Sequence, residues 1–239
     1  MNDLLAASVA AHGGLQRWSQ VERRKALLSI DGALWPQKQQ PGLLKAVSIE
    51  AQTKIERLVL QDFTGPGRRL QFAPDRLVLT EPDGTTIANR DNPRSTSLEV
   101  PPEAPWDVLH AAYFACCALW TYLMSPFLYT YPGFVTEEID PWRENGETWR
   151  RLKITFPDNV ASHTREQVSH FGPDGLLRRH DYDVDVLGGA TGANYASGYR
   201  DFDGIKIATR RRVYGRAGNG QKIPDPVLVS IDIENVSLS

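Results

Sequence analysis

Cysteine is scarce in this sequence: its 239 residues contain two, which are adjacent at Cys116 and Cys117. Two adjacent cysteines cannot build the disulfide framework of a small secreted domain, and we interpret them as two small buried hydrophobic residues. An excess of charge of one sign is also lacking, since 27 Lys and Arg against 29 Asp and Glu give a net charge of -2. This balance argues against a dedicated nucleic-acid-binding protein.

The motifs of several enzyme classes are absent. The sequence has no HExxH, HxH or CxxC motif, no GxGxxG motif or P-loop, and no GxSxG motif. Zinc peptidases, dinucleotide-binding folds, P-loop NTPases and α/β-hydrolases are therefore excluded as interpretations. We expect no metal and no cofactor.

Long hydrophobic runs are limited to residues 108–128 (VLHAAYFACCALWTYLMSPFL). This run contains His110 and Pro126 and has no flanking Lys or Arg, so we interpret it as a buried helix and expect no stable membrane span. The first residues (MNDLLAASVAAH) lack a positively charged region and a long apolar core. They therefore predict no signal peptide and a cytoplasmic protein.

Turn residues are abundant, with 19 Gly and 16 Pro between short alternating segments. This pattern predicts a mainly β, antiparallel fold within a single domain, residues 1–239. We expect a strongly curved sheet or open half-barrel with a central aromatic helix against its concave face. The predicted parts are an N-terminal helical region (1–19), a first strand group (23–100), the central helix (105–125) and a second strand group (134–236).

Three dispersed segments resemble one family. Residues 12–18 (HGGLQRW) resemble the HGG…W opening of proteins related to bacterial lipoprotein carriers, the LolA/LolB-like family. Residues 199–210 (YRDFDGIKIATR) are similar to its Y-x-x-F-D-G-x-x-x-P-T-R strand pair, with Ala208 where proline is common, and residues 171–177 (FGPDGLL) resemble its F-x-x-D-G-L-L hairpin. The resemblance implies an open half-barrel around a helix, with a concave face that receives acyl chains or other apolar ligands.

The hairpin at residues 162–186 carries the strongest polar pattern. With a loop at residues 172–175, strand alternation places Arg165 opposite Tyr182 and Gln167 opposite His180 on one face. Such a group could hold a carboxylate or enolate, or transfer a proton. The alternative is a solvated face of charged side chains.

The central helix supplies further candidates: His110, Tyr113 and Trp120. They would line a cavity for a flat or fatty ligand, or they would serve only as packing in the core. The run Arg210–Arg212 alternates along a strand, so its three charges cannot face one nucleic-acid backbone.

These observations leave three functions open. The first is binding of an apolar or amphipathic, acyl-bearing small molecule between the helix and the sheet, with Arg165, His180 and Tyr182 at its polar end. The second is an enzyme that uses the same cavity, with His180 or His110 as acid or base. The third is a non-catalytic interaction protein. The sequence does not indicate an oligomeric state.

Overall fold

The computed structural model describes residues 1–239 and contains five α-helices and thirteen strands. The helices are α1 (Asp3–Ala11), α2 (Gly14–Trp18), α3 (Leu34–Gln37), α4 (Pro93–Leu98) and α5 (Val108–Met124), with short 3-10 helices at Phe127–Thr130 and Asp185–Leu187. The first strands are β1 (Arg23–Asp31), β2 (Val47–Gln52), β3 (Leu58–Gln61), β4 (Arg69–Ala73), β5 (Arg76–Thr80) and β6 (Thr86–Asp91). The remaining strands are β7 (Val135–Glu144), β8 (Glu147–Thr155), β9 (Glu166–Phe171), β10 (Leu177–Val184), β11 (Ala190–Phe202), β12 (Ile205–Tyr214) and β13 (Val229–Leu238).

All thirteen strands form one antiparallel sheet in the order β6-β5-β4-β3-β2-β1-β13-β12-β11-β10-β9-β8-β7. Each half is a meander, and the pairing of β1 with β13 joins the two halves. Strands β6 and β7 lie at opposite edges and do not pair with each other, so the curved sheet stays open. The fold is the mainly β, open half-barrel predicted from the sequence.

Helix α5 fills the concave side of this sheet. Every residue from Ala111 to Met124 is buried, because apolar side chains surround the helix on all sides. The Asp107 carboxylate caps its first turn by accepting hydrogen bonds from the backbone N–H groups of Leu109 and His110. The helix ends at Met124, before Pro126, since a residue that precedes proline disfavours the helical conformation. No helix in the structure is both long enough and apolar enough to span a membrane.

The N-terminal helices pack against the loop between β11 and β12. Gly13 has φ +122°, and a Cβ atom there would lie 2.1 Å from the carbonyl oxygen of Gly204. Next to this contact, the backbone N–H of Lys206 donates to the carbonyl of His12, and Arg17 Nε donates to the carbonyl of Asp203. The HGG…W and YxxFDG segments therefore meet in space, and glycine at position 13 permits the close approach.

Candidate functional site

The site between α5 and the sheet is formed by elements that are distant in sequence. Tyr122, in the last turns of α5, donates a 2.6 Å hydrogen bond from its hydroxyl to that of Tyr182 on β10. On another side of the helix, Trp120 Nε1 donates to the carbonyl of Gln52 at the end of β2. These bonds link the helix to both halves of the sheet.

A small cavity lies between α5 and the centre of the sheet. Its volume is about 20 Å³, which is room for roughly one water molecule. Apolar or aromatic side chains make up most of its wall, among them Ile30, Trp35, Phe114, Ala118, Val213 and Ile231. The structure thus holds an apolar seam in this position with almost no free volume.

Polar groups meet at one end of the seam. The His180 ring lies edge-on to Tyr182, with 5.5 Å between ring centroids, and Tyr122 lies 6.1 Å away. The Arg211 guanidinium, on β12, stacks 4.6 Å above the Tyr122 ring. All four side chains are buried, so the seam has an apolar body and a polar end.

Burial decides which of these polar groups carries a charge. Burial, together with the nearby positive charge of Arg211, lowers the pKa of His180 to about 3. Burial also raises the pKa of Tyr122 to about 12, against the opposing effects of Tyr182, Arg211 and Asn194 nearby. At neutral pH the imidazole and the phenol are therefore neutral, and Arg211 is the charged member of the cluster.

A thiol and an imidazole lie close together in the same interior. Cys117 Sγ is 3.9 Å from His163 Nδ1. Burial lowers the pKa of His163 to about 3 and raises the pKa of the Cys117 thiol well above its usual range. Because a reactive cysteine needs a depressed thiol pKa, this pair is not an activated nucleophile.

The opposite side of α5 faces two open grooves. One has a volume of about 400 Å³ and is lined by Trp120, Tyr131 and Phe134, and the other has a volume of about 260 Å³ and is lined by Tyr113 and Arg94. Residues 157–162 run between the grooves. Arg94 Nη1 donates a 2.7 Å hydrogen bond to the carbonyl of Ser162 in this segment.

Glu56 anchors the same segment from the loop between β2 and β3. Its Oε2 atom accepts a 2.7 Å hydrogen bond from the backbone N–H of Ala161, and its Oε1 atom has no hydrogen-bond partner within the protein. Burial raises the pKa of this carboxyl group well above its usual range. No group of three or more His, Cys, Asp or Glu side chains is arranged to hold a metal ion.

Of the residues singled out from the sequence, the structure brings His180 and Tyr182 together at the polar end of the seam. Tyr113 and Trp120 line the outer grooves. His110 lies in the first turn of α5, where its Nδ1 atom is 3.0 Å from Asp107 Oδ1. These five candidates thus lie in different regions around the helix.

Arg165 is not part of the polar end, which corrects the predicted pairing. It precedes β9, its side chain is 63% exposed, and its Nη1 atom lies 2.7 Å from Asp158 Oδ1. A register shift between Leu177 and Arg179 also places His180 opposite Ser169 instead of Gln167. Side-chain alternation placed His180 and Tyr182 on one face, as observed, but the irregular residue between Leu177 and Arg179 moved the cross-strand partners.

Two candidate functional residues, Arg24 and Arg211, were not predicted from the sequence. Both are buried, and both occupy strand positions that alternation assigns to the core: Arg24 is in phase with Leu28 on β1, and Arg211 with Val213 on β12. The pattern that could have identified them is an arginine at an inward position between apolar residues.

Comparison with known proteins gives a match in shape only. No protein-family model and no curated protein matches the chain. A LolA superfamily protein from Nitrosomonas europaea superposes with a TM-score of 0.53 at 9% identity, over 98% of this chain and 92% of that one. A DUF1329 family protein from Desulfovibrio piger gives 0.54 at 13% identity, over 98% and 91%.

A third solved structure, an outer membrane lipoprotein-sorting protein domain from Vibrio parahaemolyticus, gives a TM-score of 0.52 at 11% identity, over 99% of this chain and 93% of that one. The chain therefore has a LolA-like fold, as the three short segments implied. The prediction of a cytoplasmic protein is wrong, because the solved structures that share this fold include an outer membrane lipoprotein-sorting protein domain. The first residues of the chain do not decide its location.

Proposed function

We propose that this protein binds an apolar, acyl-bearing small molecule between α5 and the concave face of the sheet. The observation that carries the proposal is the seam itself, which is apolar along its length and polar at one end, where Tyr122 and Tyr182 meet. Small-molecule sites combine a mostly apolar wall with a few polar groups that orient the ligand.

The ligand displaces α5 as it binds. A cavity of about 20 Å³ is far smaller than an acyl chain, since pockets for small molecules measure roughly 300–1,000 Å³. The outer face of α5 abuts grooves of about 400 and 260 Å³. The helix can therefore shift away from the sheet toward these grooves, which lie on either side of residues 157–162.

The contacts that hold α5 in place suit such a shift. The helix makes no backbone ladder with the sheet and is tied to it through side chains, such as Trp120 to Gln52 and Tyr122 to Tyr182. The apolar surface that α5 would uncover is covered again by the ligand chain, so little hydrophobic free energy is lost. The strands themselves stay fully paired.

The fold supports this proposal at a coarse level. A neighbour of similar shape is an outer membrane lipoprotein-sorting protein domain, and the acyl chains of a lipoprotein are ligands of the proposed kind. The apolar seam of this chain and its displaceable helix are the features that a protein handling acyl chains needs.

The proposal is tested by measuring dodecanol binding, with the displacement of an environment-sensitive apolar dye from the protein as the readout. Ala118 lines the seam, so Ala118→Val, which adds two methyl groups, should weaken dodecanol binding by about tenfold. Ala118→Gly is the matched control, since it enlarges the same space, and it should not weaken binding. Absence of dodecanol binding to the wild type, or equal losses in both variants, would contradict a site in the seam.

A further inference from the structure

Arg211 is a buried arginine without an acidic partner. It is 5% exposed, no Asp or Glu oxygen lies within salt-bridge distance of it, and its Nη1 atom has no hydrogen-bond partner within the protein. Arg179, on the other face of the sheet, shows the usual solution: it pairs with Asp181 at 2.6 Å and with Glu144 at 3.0 Å. Burial of an uncompensated charge is unfavourable, so Arg211 needs a negatively charged partner.

The end of helix α5 supplies part of that counter-charge. Arg211 Nη2 donates a 3.3 Å hydrogen bond to the carbonyl of Tyr122, and Arg24 Nη1 donates to the neighbouring carbonyl of Leu123. A helix C-terminus carries about half a negative charge. Two buried guanidinium groups share it, so most of the positive charge at this place is not neutralised by the protein.

His180 and Asn194 complete an unsatisfied polar cluster next to Arg211. They are opposite each other on β10 and β11, and both are fully buried. Neither ring nitrogen of His180 and neither amide atom of Asn194 has a hydrogen-bond partner of normal geometry within the protein. Buried polar atoms are nearly always paired, so several unpaired atoms in one cluster indicate a group that binds there.

We infer that Arg211, His180 and Asn194 bind the carboxylate of a fatty acid whose chain lies in the seam, an inference that rests on the proposed function. The carboxylate brings the single negative charge that Arg211 lacks. Its two oxygens accept hydrogen bonds from the free Arg211 Nη1, from the Asn194 amide and from the N–H of the neutral His180 ring. The Tyr122 and Tyr182 rings mark where the apolar seam begins, so head and chain lie in one continuous site.

The test compares ligands that share a chain and differ in the head group. In calorimetric titrations of the wild-type protein at neutral pH, dodecanoic acid should bind at least about tenfold more tightly than dodecanol. Arg211→Met should bring the affinity for the acid down to that for the alcohol. Arg210→Met is the matched control on the neighbouring residue, whose side chain is 64% exposed, and it should keep the preference.

The outcomes separate the two claims. Equal affinities of the wild type for acid and alcohol overturn the carboxylate site and leave the apolar seam standing. Binding of neither ligand overturns both claims. A preference for dodecyl phosphate over dodecanoic acid overturns the carboxylate assignment in favour of a larger anion. The comparison of ligands needs no variant, so it holds even where Arg211→Met fails to fold.

Discussion

Arg24 and Arg211 lie on two different strands and donate hydrogen bonds to adjacent backbone carbonyls at the end of α5, those of Leu123 and Tyr122. Because both bonds end on backbone atoms, they hold the helix by its C-terminus whatever side chains it carries. Burial lowers the pKa of Arg24 to about 9, so this side chain remains charged at neutral pH. Two buried cations therefore hold the C-terminal end of α5.

The two kinds of buried arginine should respond differently to neutralisation. Arg179→Met removes the closest cationic partner of Asp181 and of Glu144 and should destabilise the protein by about 3–5 kcal/mol. Arg211→Met removes one hydrogen bond together with an unpaired charge, so its cost should stay within about 1–2 kcal/mol. Urea unfolding measures both free energies, and equal losses would show that Arg211 is as well compensated as Arg179.

The close approach between the N-terminal helices and the β11–β12 loop gives a second prediction. Gly13→Ala places a methyl group 2.1 Å from the Gly204 carbonyl oxygen and should cost about 3 kcal/mol or more. Gly14→Ala is the control: Gly14 also has a positive φ, +80°, but nothing lies within 4 Å of its Cβ position. That substitution should cost only the conformational strain, about 1–2 kcal/mol. Urea unfolding measures the loss in the free energy of unfolding for each variant, and losses of similar size would contradict the close packing at Gly13.

Buried histidines should make stability fall in mild acid. Burial lowers the pKa of each of the four buried histidines: to about 4 for His12, about 3 for His163 and His180, and about 2 for His170. In the unfolded chain they regain a pKa near 6.5. Between that value and about pH 4 the unfolded chain binds more protons than the folded one, so the free energy of unfolding decreases as the pH falls. Urea unfolding between pH 7 and pH 5 should show this decrease. His180→Gln removes one titrating group, so the number of protons taken up on unfolding should fall by about one.

Glu56 should act with the opposite sign. Its folded-state pKa is raised by burial, so the folded protein holds a proton that the unfolded chain releases above about pH 4.5. Glu56→Gln keeps an acceptor for the Ala161 N–H and removes the titration. The variant should therefore gain stability over the wild type as the pH rises from 5 to 8. A stability difference that does not change with pH would mean that the buried carboxyl group ionises at an ordinary pKa.

The sequence was sufficient for the architecture. Short alternating segments between turn residues, and the apolar run 108–128 with its proline, predicted an antiparallel sheet and a buried helix, and the helix spans Val108–Met124 within the predicted 105–125. These features depend on neighbours in sequence. Residues 1–19, predicted as one helical region, form two helices in the structure, because His12 and Gly13 do not have the helical conformation.

The site was harder to predict because its contacts are distant in sequence. His163 and Cys117 are separated by 46 residues and Tyr122 and Tyr182 by 60, and no local pattern fixes such a pair. The register shift next to Arg179 could not be read from turn residues alone. Arg211 lies in a run of three arginines, whose other two members, the exposed Arg210 and the partly exposed Arg212, pair with Asp232.

The position of the ligand relative to α5 is the central claim, and two tryptophans report on it directly. Trp35 lines the seam between the helix and the sheet, and Trp120 lines the groove on the outer side of the helix. A dodecanoic acid that carries bromine at the end of its chain quenches the fluorescence of an indole it contacts. We predict that titration with this acid quenches the tryptophan fluorescence of the wild-type protein. Trp35→Phe should remove the larger part of this quenching, whereas Trp120→Phe should retain it. Loss of quenching in Trp120→Phe but not in Trp35→Phe would place the chain in the outer groove and contradict the account.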